Sequence, residues 1–136
     1  MAFSDPGKDR RIQWSPGPQA PEVTVAVAVK RGDILGYDSG WKKAIATTGG
    51  VIQGRIIALA DAEADKKVPV SHIAVVGGYS GATPGSPVYV NEGASNDGTV
   101  TQSAPVTTGD ANTIIDIALS ATEILFFLNS RADSTA

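Results

Sequence analysis

Apolar and polar positions alternate along much of the chain after residue 22. Valines occupy every second position from Val23 to Val29, and Thr24, Ala26 and Ala28 lie between them. This period of two is that of a β-strand with one buried face. Residues 23–29 are therefore predicted to form a strand that turns its valines toward a core.

Two hairpins are predicted from short turn-forming connections. The first turns at Asp38-Ser39-Gly40, and the second follows a polar connection that ends in Asp97-Gly98. Residues of these types favour tight turns between antiparallel strands. The strand-like runs that they join lie at 34–37 and 41–46 and at 88–90 and 99–102.

Four further segments have strand character. Residues 51–60 and 67–76 are rich in β-branched side chains, and Ile115, Ile117 and Leu119 alternate with smaller or polar residues. Residues 124–128 are wholly apolar, which predicts a strand covered on both faces. About eight or nine short strands follow from these patterns.

Helix is predicted to be scarce. Only residues 60–67 combine good helix formers with an absence of Gly, Pro and β-branched side chains, and eight residues make a marginal helix. That segment is either one helical turn or a charged loop. A chain of 136 residues is long enough for one core. We therefore predict a mainly β domain over residues 23–128, built as a compact β-barrel or β-sandwich.

The first 22 residues differ from this pattern. They contain four of the eight prolines, and proline neither donates to a central strand nor continues a helix. We predict an extended N-terminal arm over residues 1–22, either a disordered tail or an arm that lies along a neighbouring subunit or a partner surface. Residues 1–20 are then dispensable for folding. Residues 129–136 are polar and are predicted to form a loose C-terminal tail.

Composition removes several classes of function. The chain has no Cys and one His, which excludes disulfides, thiol nucleophiles and Cys-based metal sites. A net charge of −3 argues against a nucleic-acid partner. No apolar run is long enough to span a bilayer, and the first residues lack the apolar core of a signal peptide, so we expect no membrane partner and synthesis in a cytoplasm.

Candidate chemistry is sparse. His72 is predicted to share a strand face with valines, which favours a partly buried structural histidine over a catalytic one. Asp61, Glu63 and Asp65 have the spacing that opens a Ca²⁺ loop, but Lys66 stands where that loop needs Gly. We therefore expect no enzyme activity, no catalytic residues, no cofactor and no bound metal.

The second half carries a resemblance. The runs GATPGSPVYVNEGA, GTVTQSAPVTTGD and IIDIALSATEILFFLNS resemble a recurrent module of tailed-phage virion proteins. Upstream, the alternating valines, the run KRGDILGY at 30–37 and the run IIAL at 56–59 are similar to small capsid cement, or head decoration, proteins. The resemblance covers about residues 23–128.

This resemblance implies a β-rich structural protein of the virion. Such a protein binds the outer surface of the icosahedral head across capsomer junctions, commonly as a homotrimer, and stabilises the shell. Its partner is the major capsid protein, its location is the outside of the capsid, and its N-terminal arm orders on the shell.

Interface residues are predicted from side-chain chemistry, because aromatic and Arg residues dominate binding hot spots. Ile124 and Phe126 are candidates for a contact between subunits. The candidates in the arm for contact with the capsid are Phe3, Arg10, Arg11, Ile12 and Trp14.

An alternative function is a head-fibre, tail or baseplate component of the virion. Such a component can bind carbohydrate, because aromatic side chains on loops stack on sugar rings. The candidates for that contact are Tyr37, Trp41 and Tyr79.

Overall fold

The computed structural model describes residues 3–16, 20–93, 96–128 and 133–136. These residues form one 3-10 turn, Gly7–Asp9, and eleven β-strands. The strands are β1 (Arg11–Trp14), β2 (Glu22–Thr24), β3 (Ile34–Tyr37), β4 (Trp41–Lys43), β5 (Ile56–Ala58), β6 (Lys67–Ser71), β7 (Ile73–Gly77), β8 (Pro87–Val90), β9 (Val100–Thr101), β10 (Ile114–Ala118) and β11 (Glu123–Phe127).

The strands make two antiparallel sheets. One has six strands in the order β1-β7-β11-β10-β8-β9, and the other has five in the order β2-β6-β5-β3-β4. The sheets do not close into a barrel, so the protein is a β-sandwich and the predicted mainly β class is confirmed. The chain passes from one sheet to the other at His72, the single residue between β6 and β7.

The main core lies between the two sheets. Alternate residues of the six-stranded sheet point inward, as Val88 and Val90 of β8 and Ile124 and Phe126 of β11 show. The five-stranded sheet contributes Ile34, Ile57 and residues just beyond β4 to the same cluster. Apolar side chains from both inner faces are therefore removed from water, which is the dominant favourable contribution to folding.

A second core covers the other face of the five-stranded sheet. Leu35, Ala58, Val68 and Val70 form this cluster with two buried valines from the segment that follows β2. That segment crosses the outside of the sheet, with Val25 bridged to Trp41 and Val29 to Ala62. The five-stranded sheet is consequently buried on both faces by the protein's own chain. The predicted strand over 23–29 is shorter than expected, because β2 ends at Thr24 and the chain bends away before the exposed Val27.

Both predicted hairpins are confirmed. Tyr37 of β3 is registered with Trp41 of β4, and the connection contains Ser39 and Gly40 at positive φ. Val90 of β8 is registered with Val100 of β9. The residue types in these two connections allow the tight turns that set the register of the flanking strands.

A bulge changes the predicted faces of β10. The alternation of Ile115, Ile117 and Leu119 predicts that these three share one buried face. The pairing with β8 shifts register between Ile114 and Asp116, and the second of these has a φ of 150°. Ile115 and Ala118 are therefore buried, while Leu119 is exposed.

The region from 60 to 76 also departs from expectation. Residues 60–66 form a loop, the second of the two predicted alternatives. The strand predicted over 67–76 is two strands in different sheets, because the chain changes sheet at His72. His72 is exposed, and the prediction of a partly buried histidine was wrong.

The N-terminal residues pack on their own domain. Ser4 pairs with Ser80 by two backbone hydrogen bonds, and β1 pairs with β7 as an edge strand. Residues 3–14 therefore pack on the domain and do not form a separate arm, whereas the dispensability of residues 1–20 for folding stays a prediction. Proline kept this segment out of a central strand but left four residues, Arg11–Trp14, free to pair at the edge.

The described end of the C-terminal tail is likewise attached. Arg55 donates two hydrogen bonds to Asp133, at 2.7 and 2.6 Å, and Ser134 exchanges backbone and side-chain hydrogen bonds with Thr113. Thr135 bridges Ala111. Residues 133–136 are therefore held on the domain, whereas the other predicted tail residues, 129–132, lie outside the described residues.

Candidate interaction surface

The outward side of the six-stranded sheet carries a continuous row of apolar side chains. Registered neighbours in antiparallel strands place their side chains on the same face. From β1 to β8 the registered residues run Trp14–Val75–Leu125–Ile117–Pro87. One apolar row therefore crosses five strands.

A second set of apolar pairs lies beside this row. Ile73 of β7 is registered with Phe127 of β11, and Ile114 of β10 is registered with Tyr89 of β8. We call the two sets together the outer apolar face. Its members are Trp14, Ile73, Val75, Pro87, Tyr89, Ile114, Ile117, Leu125 and Phe127.

Several of these side chains are well exposed for their size. Trp14 is 50% exposed, Ile114 44% and Phe127 40%, and the others are partly exposed. The bulge in β10 brings Ile117 to this face, because the alternation shifts between Ile114 and Asp116. Bulges commonly re-aim side chains at functional surfaces.

Charge on the six-stranded sheet is sparse. Strands β7, β8 and β9 have no charged residue, and β10 and β11 have one each, Asp116 and Glu123. Arg11 of β1 and Glu123 of β11 are both registered with Gly77, so they lie on either side of that glycine. An apolar centre with charged residues at its rim is the usual composition of a protein–protein interface.

A buried network of charged side chains holds the residues just before β1 on the domain. The Arg10 guanidinium donates to Asp5 Oδ1 at 2.7 Å and to Asp33 Oδ1 at 2.7 Å, and all three side chains are buried. Asp5 also accepts hydrogen bonds from the backbone N–H groups of Gly7 and Val100. This network ties the start of the chain to β9 and to the loop before β3.

Glycine makes room for that network. Gly32 has a φ of 86°, and a Cβ at this position would collide with the side chain of Arg10. Burial lowers the pKa of the Arg10 guanidinium, but the hydrogen bond and charge of Asp5 outweigh it and raise that pKa above its ordinary value. Arg10 is therefore always charged and always needs its two carboxylate partners.

Phe3 and Tyr79 close the network on its apolar side. Their rings stack with centroids 5.8 Å apart, and Tyr79 is buried against Phe126. Burial and the nearby charge of Asp5 raise the pKa of the Tyr79 hydroxyl, which therefore stays neutral. Phe3, near the start of the chain, therefore packs against the main core.

Most of the predicted interface residues do not face outward. Arg10 is 1% exposed and is bound within its own chain, and Phe3 and Ile12 pack against the main core. Ile124 and Phe126 are fully buried between the sheets, so neither can contact a sister subunit. The assignments of Arg10, Ile124 and Phe126 were wrong, because the arm folds back and because β11 turns alternate residues inward. Phe3 and Ile12 are half-buried, and their contact with the capsid stays a prediction.

Arg11 and Trp14 are the exposed members of the predicted set. Both lie on β1 at the edge of the outer apolar face. The residues that sequence reasoning missed are on the other side of β11, where Leu125 and Phe127 face outward. The wholly apolar run 124–128 was the available signal, since a strand with one solvated face alternates with polar residues.

The candidate aromatic set for carbohydrate is brought together only in part. Tyr37 and Trp41 form an edge-to-face pair with centroids 5.3 Å apart, and Tyr37 is 64% exposed. Tyr79 is buried in the main core and is not part of that surface. Only Tyr37 and Trp41 therefore stay candidates for contact with carbohydrate.

The titratable side chains form one further pair. Asp110 accepts hydrogen bonds from the Thr48 N–H at 2.7 Å and the Thr48 hydroxyl at 2.5 Å. The hydrogen bond between the Glu92 and Asp110 carboxyl groups raises the pKa of Glu92, and the same bond, with those of Thr48, lowers the pKa of Asp110. Glu92 therefore retains its proton to higher pH than an isolated glutamate.

Neither a metal cluster nor a membrane-spanning helix occurs in the described part of the chain. Within residues 3–16, 20–93, 96–128 and 133–136, no three His, Asp or Glu side chains are grouped so that they could hold a metal ion. The same residues contain no helix of the length and apolar character needed to cross a bilayer.

Comparisons of the chain with protein-family models, with curated proteins and with solved structures find no match. Function must therefore be inferred from the surfaces of the molecule and from the resemblance of its sequence.

Proposed function

We propose that this protein is a capsid decoration, or cement, protein of a tailed phage. In this role it binds the outer surface of the icosahedral head across capsomer junctions and stabilises the shell by contact, without catalysis. The observation that carries the proposal is the outer apolar face, because a rigid sheet with a broad apolar surface and charge at its rim is suited to binding protein.

The architecture supports a role in holding proteins together. The buried network of Asp5, Arg10 and Asp33 fixes β1 on the sandwich, so Trp14 and Arg11 are presented on a rigid edge. Rigid presentation of an aromatic and an Arg side chain reduces the entropy lost on binding. These two residues are our candidates for contact with the major capsid protein.

Assembly as a homotrimer would strengthen such binding. A trimer that engages three shell sites makes the second and third contacts effectively intramolecular, so modest individual contacts give high avidity. Attachment to a repetitive shell is therefore achievable with a small surface per copy.

Binding to heads tests this proposal. Heads assembled without the protein are incubated with purified protein, and the bound fraction is measured by co-sedimentation together with the temperature at which the heads release DNA. We expect saturable binding in hundreds of copies per head and a higher release temperature. Absence of binding to heads, or binding confined to tails or to one vertex, would refute it.

A second candidate is a carbohydrate-binding component of the virion, which the exposed Tyr37–Trp41 pair favours. Titration with glycans while Trp fluorescence is followed tests it, with Tyr37→Ala as the matched variant. A signal change that is reduced in Tyr37→Ala supports the candidate, and a flat response removes it.

A further inference from the structure

A cleft opens along the edge strand β4, next to the Tyr37–Trp41 pair. The Ala26 N–H donates to the Trp41 carbonyl at 2.8 Å. This bridge is isolated, so the segment after it separates from β4 and leaves a cleft of about 260 Å³. That volume is just below the range of ~300–1,000 Å³ for small-molecule pockets, so the cleft fits one unit of a longer ligand. Its lining residues are Val27, Ala28, Lys42, Lys43, Ile45 and Asp97.

Tyr37 and Trp41 form an aromatic platform at one end of this cleft. Tyr37 is 64% exposed, and Trp41 packs against the second core. Because Trp41 is held by that packing, it loses little side-chain freedom when a ligand contacts the pair. Trp41 and Lys43 are two residues apart on one strand, so their side chains share a face and start about 7 Å apart. A ligand that stacks on the aromatic pair can therefore also reach Lys43.

The two lysines bring positive charge to the cleft. Lys42 and Lys43 both line it, and both side chains are half-buried. Within the described residues, ion pairs occur only at Arg10 and Arg55, so neither lysine has an acidic partner there. A Lys ammonium offers hydrogen-bond donors and no acceptor. A carboxylate on a ligand can pair with these ammonium groups through charge-assisted hydrogen bonds, which are stronger than neutral ones.

Asp97 limits the class of anion that fits. It lines the same cleft from the loop before β9, and an ionised carboxylate accepts hydrogen bonds but donates none. Sugar hydroxyls can donate to it. A ligand rich in phosphate, such as a nucleic acid, is repelled by Asp97 and by the net charge of −3. The cleft therefore favours a ligand that has hydroxyl groups and few negative charges.

We infer that the cleft and the Tyr37–Trp41 pair bind a saccharide that carries a carboxylate, such as a hexuronic or sialic acid unit. The aromatic pair contacts the apolar face of a sugar ring, Lys42 and Lys43 bind the carboxylate, and Asp97 accepts hydrogen bonds from hydroxyls. The inference rests on the second candidate function and names its sugar class. The cleft is on the five-stranded sheet, so a copy that binds the capsid through its outer apolar face can bind such a saccharide at the same time.

Isothermal titration calorimetry with matched acidic and neutral sugars tests the inference on the full-length protein. The pairs are cellobiouronic acid with cellobiose, and sialyllactose with lactose, which separate the two sources of the carboxylate. We expect wild type to bind at least one acidic sugar about 10-fold more tightly than its neutral counterpart, and less so at high salt. Lys42→Gln/Lys43→Gln should lose this preference, whereas Tyr37→Ala should weaken binding of both sugars. The matched control is Lys66→Gln/Lys67→Gln, an exposed lysine pair outside the cleft, which should behave as wild type.

Three results would overturn the inference, provided that thermal melting shows each variant to be folded. These are equal affinity for acidic and neutral sugars, a preference that Lys42→Gln/Lys43→Gln retains, and equally tight binding of a tetraglutamate peptide, which would show recognition of charge alone. If both sugars bind equally and Tyr37→Ala weakens them, carbohydrate binding stands and only the sugar class is wrong. If neither sugar of either pair binds, the second candidate function fails too, and binding to heads is unaffected by that result.

Discussion

The two sheets of this sandwich treat their outer surfaces differently. The five-stranded sheet has a second core on its outside, closed by Val25 and Val29, and its strands carry four charged residues. The six-stranded sheet has nine apolar side chains on its outside and only three charged residues in six strands. Among the described residues, Val25 and Val29 are buried on the outside of the five-stranded sheet, whereas Trp14 on the outside of the six-stranded sheet is 50% exposed.

This difference separates folding from interaction. A sheet face that the protein's own chain buries is stabilised in the monomer, whereas a partly exposed apolar face gains further stabilisation when a partner covers it. The same residue type should therefore have different effects on the two outer surfaces. On one it should control stability, and on the other association.

The largest contrast is expected from introducing a charge on each outer surface. Val25→Lys places an unpaired charge in the closed core outside the five-stranded sheet, and we expect loss of several kcal/mol or failure to fold. Leu125→Lys places the same charge on the partly exposed outer apolar face, where the ammonium reaches water. We expect a folded protein, as measured by circular dichroism and urea unfolding. Equal loss of stability in both variants would remove the distinction.

The anchor of β1 provides the next contrast, between adjacent arginines. Arg10→Ala leaves the buried Asp5 and Asp33 without their partner, and we expect about 3–5 kcal/mol of destabilisation. Arg11→Ala removes an exposed side chain, and we expect a change within about 0.5 kcal/mol. Chemical denaturation measures both. If Arg10→Ala is as mild as Arg11→Ala, the N-terminal residues are not part of the fold.

The two phenylalanines of β11 sharpen the comparison within one strand. Phe126→Ala empties a site in the main core and should cost about 3–5 kcal/mol. Phe127→Ala should cost about 1 kcal/mol or less in the monomer, because its ring is partly in water. Unfolding of both variants is measured at a concentration that keeps them monomeric. A larger loss for Phe127→Ala would mean that the outer face is a core of the monomer.

The smallest expected effect is a pH dependence of stability from the carboxyl groups of Glu92 and Asp110. Asp110 accepts two hydrogen bonds from Thr48. The raised pKa of Glu92 means that the folded state favours its protonated form. The stability from that proton is present below the ordinary Glu value of 4.5 and is lost as the pH rises through the raised value. Glu92→Gln keeps a donor to Asp110 without titrating, so it should gain stability relative to wild type between about pH 4 and pH 7.

Melting temperatures of both proteins across that range measure the effect. The lowered pKa of Asp110 acts in the opposite sense, because its stabilising contribution is lost as the pH falls through the lowered value. Parallel curves for wild type and Glu92→Gln would contradict an interaction between the two carboxyl groups.

The sequence predicted the parts of the fold that local patterns determine. Strand periodicity and turn residues indicated the mainly β class and both hairpins, since these depend on neighbours along the chain. The bulge at Asp116 could not be predicted, because it is set by pairing with β8 and not by the alternation of Ile115, Ile117 and Leu119.

The burial of Arg10 was hidden for a similar reason. Its partners are Asp5, close in sequence, and Asp33, which reaches it only through the fold. A proline-rich segment with two adjacent arginines is typical of a solvated tail or a docking arm. Only the fold shows that Asp33 lies beside Arg10. The interaction surface was missed because Leu125 and Phe127 could not be assigned to a face until the partners of β11 were known.

An electron cryomicroscopy reconstruction of the phage particle tests the central claim most directly. We predict density for this chain in hundreds of copies over the outer surface of the head, with the outer apolar face in contact with capsid protein. Density only on the tail or at a single vertex would contradict the proposed function. Copies on the head whose outer apolar faces point into solvent would contradict the proposed role of that face in binding the capsid.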